Sequence, residues 1–208
     1  MSQGGWVMKV SAGTKERRAP GRGNRLDGTG RWLMVLAAAL LIVSIRLPLW
    51  AMTLHAPQYP EGLRLYVYPG RLGGKEDIIN TLNHYVGMKE LREEDFPEFR
   101  YLPPVLAAVA GLMLLAALGR WRWLATALLA LAPAGLLGGI YDLHRWLYRY
   151  GHNLDPRAPI DIPPFSPPVL GVKQIMNFRT FSYFSWGALL LAVSFLLVAA
   201  AARRREPC

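Results

Sequence analysis

The chain has 208 residues, 52% of them hydrophobic, with a formal charge of +10 and one cysteine, the terminal Cys208. A single cysteine excludes an internal disulfide framework, a CxxC redox pair and a CxxCH haem attachment. The apolar residues are too clustered for one soluble domain: four blocks reach or approach the ~20 residues that span a bilayer, and so short a chain cannot bury four helices that are apolar all round.

Residues 1–30 are rich in glycine and basic side chains and lack apolar periodicity, which predicts a disordered basic tail. A membrane domain is expected over 31–202, with spans at about 32–53, 102–119, 123–141 and 183–201, and a second basic tail at 203–208. The expected fold class is therefore an all-α membrane protein. Its four transmembrane helices carry a cap made from two long loops, 54–101 and 142–182. Trp32 and Trp50 lie about 27 Å apart on a helix, a spacing suited to two interfacial anchors. Cleavage of the first span as a signal peptide is disfavoured by Leu54 and Pro57 around the candidate site. Arg46 interrupts this span and must reach the headgroups or find a carboxylate, and Asp142 is its expected partner. Ala107 and Gly111, and Gly135 and Gly139, form small-xxx-small pairs that predict close helix approach.

The basic residues of the N-terminal tail, Arg120 and Arg122 between the middle spans, and Arg203 to Arg205 fall on one side of a four-span arrangement. The positive-inside rule makes that side the cytoplasm, with both termini there and both long loops outside. The charge is thus an orientation signal, and no nucleic-acid partner is expected.

In the first outer loop, Arg64 to Tyr68 alternates like a short strand, and Pro69-Gly70 and Gly73-Gly74 turn the chain into a helix predicted from about 75 to 94. On that helix Asp77, Asn80, His84 and Met88 share one face, and His84 and Met88 sit one turn apart. Imidazole and thioether together suit a soft ion such as copper; the alternative is a solvated face. His55, His144 and His152 also lie outside and are the candidate further ligands, His152 foremost. The third span is expected to continue over 141–150 and to stop at Gly151-His152-Asn153. Six prolines between Pro156 and Pro168 predict an extended strap lying over the first outer loop.

Three runs, PLWxMxLxAPQYPEGL from Pro48, NTLNHYVGMKEL from Asn80, and GHNLDPxAPI before PPFSPP, carry a resemblance. Over roughly 45–200 the chain resembles a family of small multi-pass bacterial membrane proteins associated with nitrous oxide reductase maturation and copper-handling gene clusters. The resemblance implies an inner-membrane location, membrane lipid around the spans, and an accessory role in extracytoplasmic copper handling or in assembly of a respiratory metalloenzyme. An extracytoplasmic metalloenzyme or its maturation factors would be the partner, and copper the cofactor. The sequence carries no Ser/His/Asp arrangement, phosphate loop or HExxH, so no enzymatic activity is expected. The alternative is a structural or anchor subunit of a respiratory membrane complex without its own metal.

Overall fold

The computed structural model describes residues 25–160, 163–175 and 177–204. The chain opens with helix α1 (Gly28–Ser44), whose first turn is capped by Asp27: its carboxylate accepts the Gly30 N–H at 2.6 Å. The helix tightens through Ile45, Arg46 and Leu47 and stops at Pro48, which has no N–H to continue it. Helix α3 (Glu98–Gly119) ends on Arg120, which has a left-handed backbone (φ 57°) and feeds directly into α4 (Arg122–His152). Helix α5 (Trp186–Arg203) closes the described chain. Three helices, α3, α4 and α5, are long and apolar enough to cross a membrane, while α1 is a shorter apolar helix of 17 residues.

Helix α1 packs along α5 and α3. Their contact is built from small side chains (Ala37, Ala38, Ala110, Ala116, Ala117, Ala201 and Ala202), with Met34, Leu41, Met113 and Val198 filling the gaps. The buried Ser194 hydroxyl bonds across it, donating to the Ala37 carbonyl at 2.8 Å. At one end of the bundle, arginines close the last turns of two helices. Arg31 donates to the Ala117 carbonyl (3.1 Å) and Arg122 to the Ala202 carbonyl (2.7 Å), so cationic side chains meet the negative ends of helix dipoles. The expected small-residue pairs do not serve as contacts. Gly111, Gly135 and Gly139 have open space where a side chain would stand, and Ala107 is exposed. Alanine rather than glycine brings these helices together.

The all-α expectation is overturned by a five-stranded antiparallel sheet, so the fold is mixed α/β. Strands β1 (Trp50–Ala56), β2 (Tyr59–Val67) and β3 (Leu72–Gly74) come from the first loop, and β4 (Gly171–Ile175) and β5 (Phe178–Phe184) from the second. The order is β3-β2-β1-β5-β4. The first apolar helix therefore ends at Ser44 rather than near residue 53, and the last begins at Trp186 rather than at 183. Residues taken for membrane-buried helix at both places are strand. The physical reason is alternation: Trp50, Met52 and Leu54 turn one way and Ala51, Thr53 and His55 the other, a period of two. The helix predicted over 75–94 is also shorter. Helix α2 (Glu76–Tyr85) stops before Gly87, whose φ of 75° breaks it.

The expected tail over 1–30 lies outside the described residues except for Arg25 to Gly30. That part is ordered: Arg25 pairs with Trp121, and the Leu26 N–H donates to the Arg120 carbonyl at 3.0 Å. Most of the 203–208 tail, residues 205–208, also lies outside.

Sheet and bundle share a junction. Strand β1 continues from α1, and its neighbour β5 runs into α5. The crossing is sealed by Ser185 N–H to the Leu49 carbonyl (3.0 Å) and Gly187 N–H to the Pro48 carbonyl (2.9 Å). A Cβ on Gly187 would meet the Leu47 and Pro48 carbonyl oxygens at 2.7 Å, and backbone there has little room to yield. Gly187→Ala is therefore expected to lower stability by about 1–3 kcal/mol. Gly135→Ala, where nothing lies within 4 Å, should raise it slightly through helix propensity. Thermal unfolding in detergent reads both, and equal melting temperatures for the two variants would contradict the junction's role.

Candidate functional site

The sheet has one covered face and one open face. On the covered face Trp50, Met52, Leu63 and Leu65 pack with Ile78, Ile79 and Leu82 of α2 and with Leu143 and Leu147 near the top of α4. A helix of 31 residues is about 46 Å long. A ~30 Å hydrocarbon layer would take about twenty of those residues, and the helix's last ten or so carry Leu143 and Leu147 to the sheet. On the open face the register sets Tyr66, Ala51 and Tyr183 in one row, and Arg64, Thr53, Phe181 and Val172 in the next. Phe181 and Val172 are 43% and 52% exposed, and the Phe181 and Tyr183 rings stack at 5.4 Å. An apolar, aromatic sheet face left open to this degree is characteristic of a contact surface.

The strap and α2 lock one another. The Asn80 side chain holds Leu91 from both sides, donating to its carbonyl (3.1 Å) and accepting its N–H (2.7 Å). This folds the segment after α2 back on itself. The Gly87 carbonyl takes the Asp155 N–H at 2.8 Å, and the Tyr85 carbonyl takes the Ile160 N–H at 3.1 Å. Any side chain at Gly87 would strike Asp155 and Ala158. Further on, the Phe165 N–H reaches the Gly151 carbonyl (2.9 Å), and the Trp50 indole N–H reaches the Val169 carbonyl (2.7 Å). The ordered strap expected over the first loop is present in the described residues; Asp161 and Ile162 lie outside them.

Beneath the cap, Arg145 bridges Glu98 of α3 (2.8 Å) and Asp142 of α4. Phe96 packs on Trp146 and Tyr150, with ring centroids 4.7 and 6.0 Å apart, and completes the collar between the two helices. The expected Arg46–Asp142 pair is therefore not formed. Asp142 is satisfied within its own helix by Arg145, three residues on, while Arg46 is exposed at the end of α1.

The five candidate ligands belong to β1, α2, the turn after it and α4. His55 lies on the open sheet face, near the Pro60 carbonyl (3.1 Å). His84 occupies the last turn of α2, and Met88 follows the Gly87 turn, so the two do not share a helix face as expected. His144 is exposed on α4, and His152 stacks on Tyr148 (3.8 Å) at its end. Those two are eight residues apart, about 12 Å along the helix. Among the described residues no group of three or more His, Cys, Asp or Glu side chains is placed to hold a metal ion. The sequence reading missed the open aromatic face. Its signal was the alternation of residues 178–184, hidden because Tyr183 looked like the start of a span.

Burial, together with the Asp95 carboxylate, pushes the Tyr150 phenol from 10.0 up to about 12. The folded value is the higher one, so this group's stabilising contribution is complete below pH 10 and is lost as pH rises through about 12. Tyrosinate ultraviolet absorbance followed against pH should show one late-titrating ring that Tyr150→Phe removes; an unchanged profile would contradict it. No family model matches the chain, and neither the curated proteins nor the solved structures contain a match.

Proposed function

We propose that the chain is an anchor subunit of a respiratory membrane complex that presents its sheet to a partner protein outside the cytoplasm. The observation that carries this reading is the open aromatic face of β5 and β4, mounted on strands that continue from two packed helices. A face so fixed holds its direction relative to the membrane and can orient whatever docks on it. In this reading both termini are cytoplasmic. The arginines at the bundle end remote from the sheet, Arg31, Arg122 and Arg203 among them, support that orientation.

The test is a photo-crosslinking residue at position 181 or 172 in cells. It is expected to trap one recurrent partner, whereas the same residue at Thr81, on exposed α2 surface, should not. Phe181→Glu should abolish co-purification of that partner without changing thermal unfolding. Crosslinking to lipid alone would overturn the reading.

Copper handling is the second reading. The observation that favours it is the locking of the Gly87-Met88 turn against Asp155, whose carboxyl is held below its ordinary range chiefly by the hydrogen bonds from Arg157 and least by His84. Beside those residues the cap holds no larger donor set among the described residues. Metal analysis of protein purified after growth in copper separates the two: the anchor reading expects no stoichiometric metal, and the copper reading expects copper that His84→Ala removes.

A further inference from the structure

A cavity of about 350 Å³ opens where α1 leaves the bundle, lined by Ile45, Arg46, Tyr68, Gly70, Arg71 and Pro103. Its parts come from three places. Arg46 lies two residues beyond α1. Arg71 closes the turn between β2 and β3, where the Tyr68 N–H donates to the Arg71 carbonyl at 2.9 Å. Pro103 belongs to α3, and Gly70 is pressed so close to it that a Cβ would stand 2.8 Å from the proline ring. The turn is thereby pinned over the membrane end of two helices.

The charge in this cavity is of one sign. Arg71 lies over the Tyr68 ring at 3.9 Å and donates to the Leu72 carbonyl at 3.4 Å. Neither Arg71 nor Arg46 takes part in an ion pair among the described residues. Glu93, on the adjoining segment, is engaged by the Leu72 N–H at 2.9 Å. Two unmatched guanidinium groups repel each other unless an anion sits between them. The guanidinium fork suits a phosphate oxyanion, which it can grip through paired N–H donors.

We propose that this cavity is a phosphate-oxyanion site at the membrane interface, with Arg46 and Arg71 as its two cationic arms. The wall below it is apolar. Ile42 and Val43, one turn before Arg46 on the same helix face, are each 49% exposed. A phosphodiester bearing acyl chains would use both the arms and that wall, whereas free phosphate would use the arms alone. Basic pockets beside transmembrane helices recognise anionic lipid headgroups by this division of labour.

The test uses the full chain in a neutral detergent, titrated with short-chain phosphatidylglycerol or with inorganic phosphate, and thermal unfolding as the readout. Phosphatidylglycerol is expected to raise the melting temperature saturably. Arg46→Gln and Arg71→Gln should each weaken the apparent affinity about tenfold, equivalent to about 1.4 kcal/mol. Arg149→Gln, on a different surface, should leave it unchanged. Equal affinity for inorganic phosphate would assign the site to the free anion, and a response to phosphatidylglycerol alone would assign it to lipid. If a glutamine variant fails to fold, Arg71→Lys keeps the charge without the fork. Native mass spectrometry of the wild-type chain, which should retain one anionic lipid or phosphate, supplies a variant-free measurement. The proposal is overturned if neither ligand shifts unfolding, or if the arginine variants respond as the wild type does.

Discussion

The junction between membrane helices and sheet is the constraint on which the architecture rests. Helices α1 and α5 are neighbours in the bundle, and the strands that continue them, β1 and β5, are neighbours in the sheet. One antiparallel pairing thus passes from helix packing into a hydrogen-bonded ladder within a few residues. Pro48 ends one helix, and Gly187 lets the other approach the carbonyls that Pro48 and its neighbour expose. Without that approach, this side of the sheet would lose its direct seat on the bundle, leaving the contacts of α4 with the covered face and of Gly70 with Pro103 to hold it.

The three sequence runs that begin at Pro48, Asn80 and Gly151 have local structural tasks. Asn80 clamps Leu91, Gly87 supplies a left-handed turn against Asp155, Gly151 gives the strap its entry, and Trp50 holds the strap's far end. These are locks between segments distant in sequence. A motif whose polar residues are spent on backbone groups has few left for a ligand. The open face of β5 and β4 is different, because its Phe181 and Val172 are not consumed by the fold.

The apolar blocks were legible because a membrane helix must satisfy its backbone within itself, and its signal is therefore local. The core of α3, the continuation of α4 to His152, and the ordered strap could all be read from composition and from Gly and Pro positions. The sheet was not legible. Its central pair joins Trp50 to Phe184, and nothing near Trp50 announces a partner so far away. At both membrane ends of the sheet, apolar strand residues adjoin apolar helix, and hydropathy alone cannot place the boundary. Arg46 was misassigned for a related reason. Asp142 was available in sequence, but Arg145 lies one helical turn from it, and Arg46 opens onto a cavity beside Arg71.

The long-range pairing of β1 also has a consequence for synthesis. Strands β1 and β2 are consecutive and can form a hairpin early, yet the other edge of β1 awaits β5. At about 5–20 residues per second, the roughly 130 residues between them take about 6–25 s to emerge. During that interval β1 is an unprotected edge bearing Trp50, Met52 and Leu54, the kind of template on which chains join one another. Nascent copies close together therefore share a window for strand exchange, which closes only when β5 comes into place.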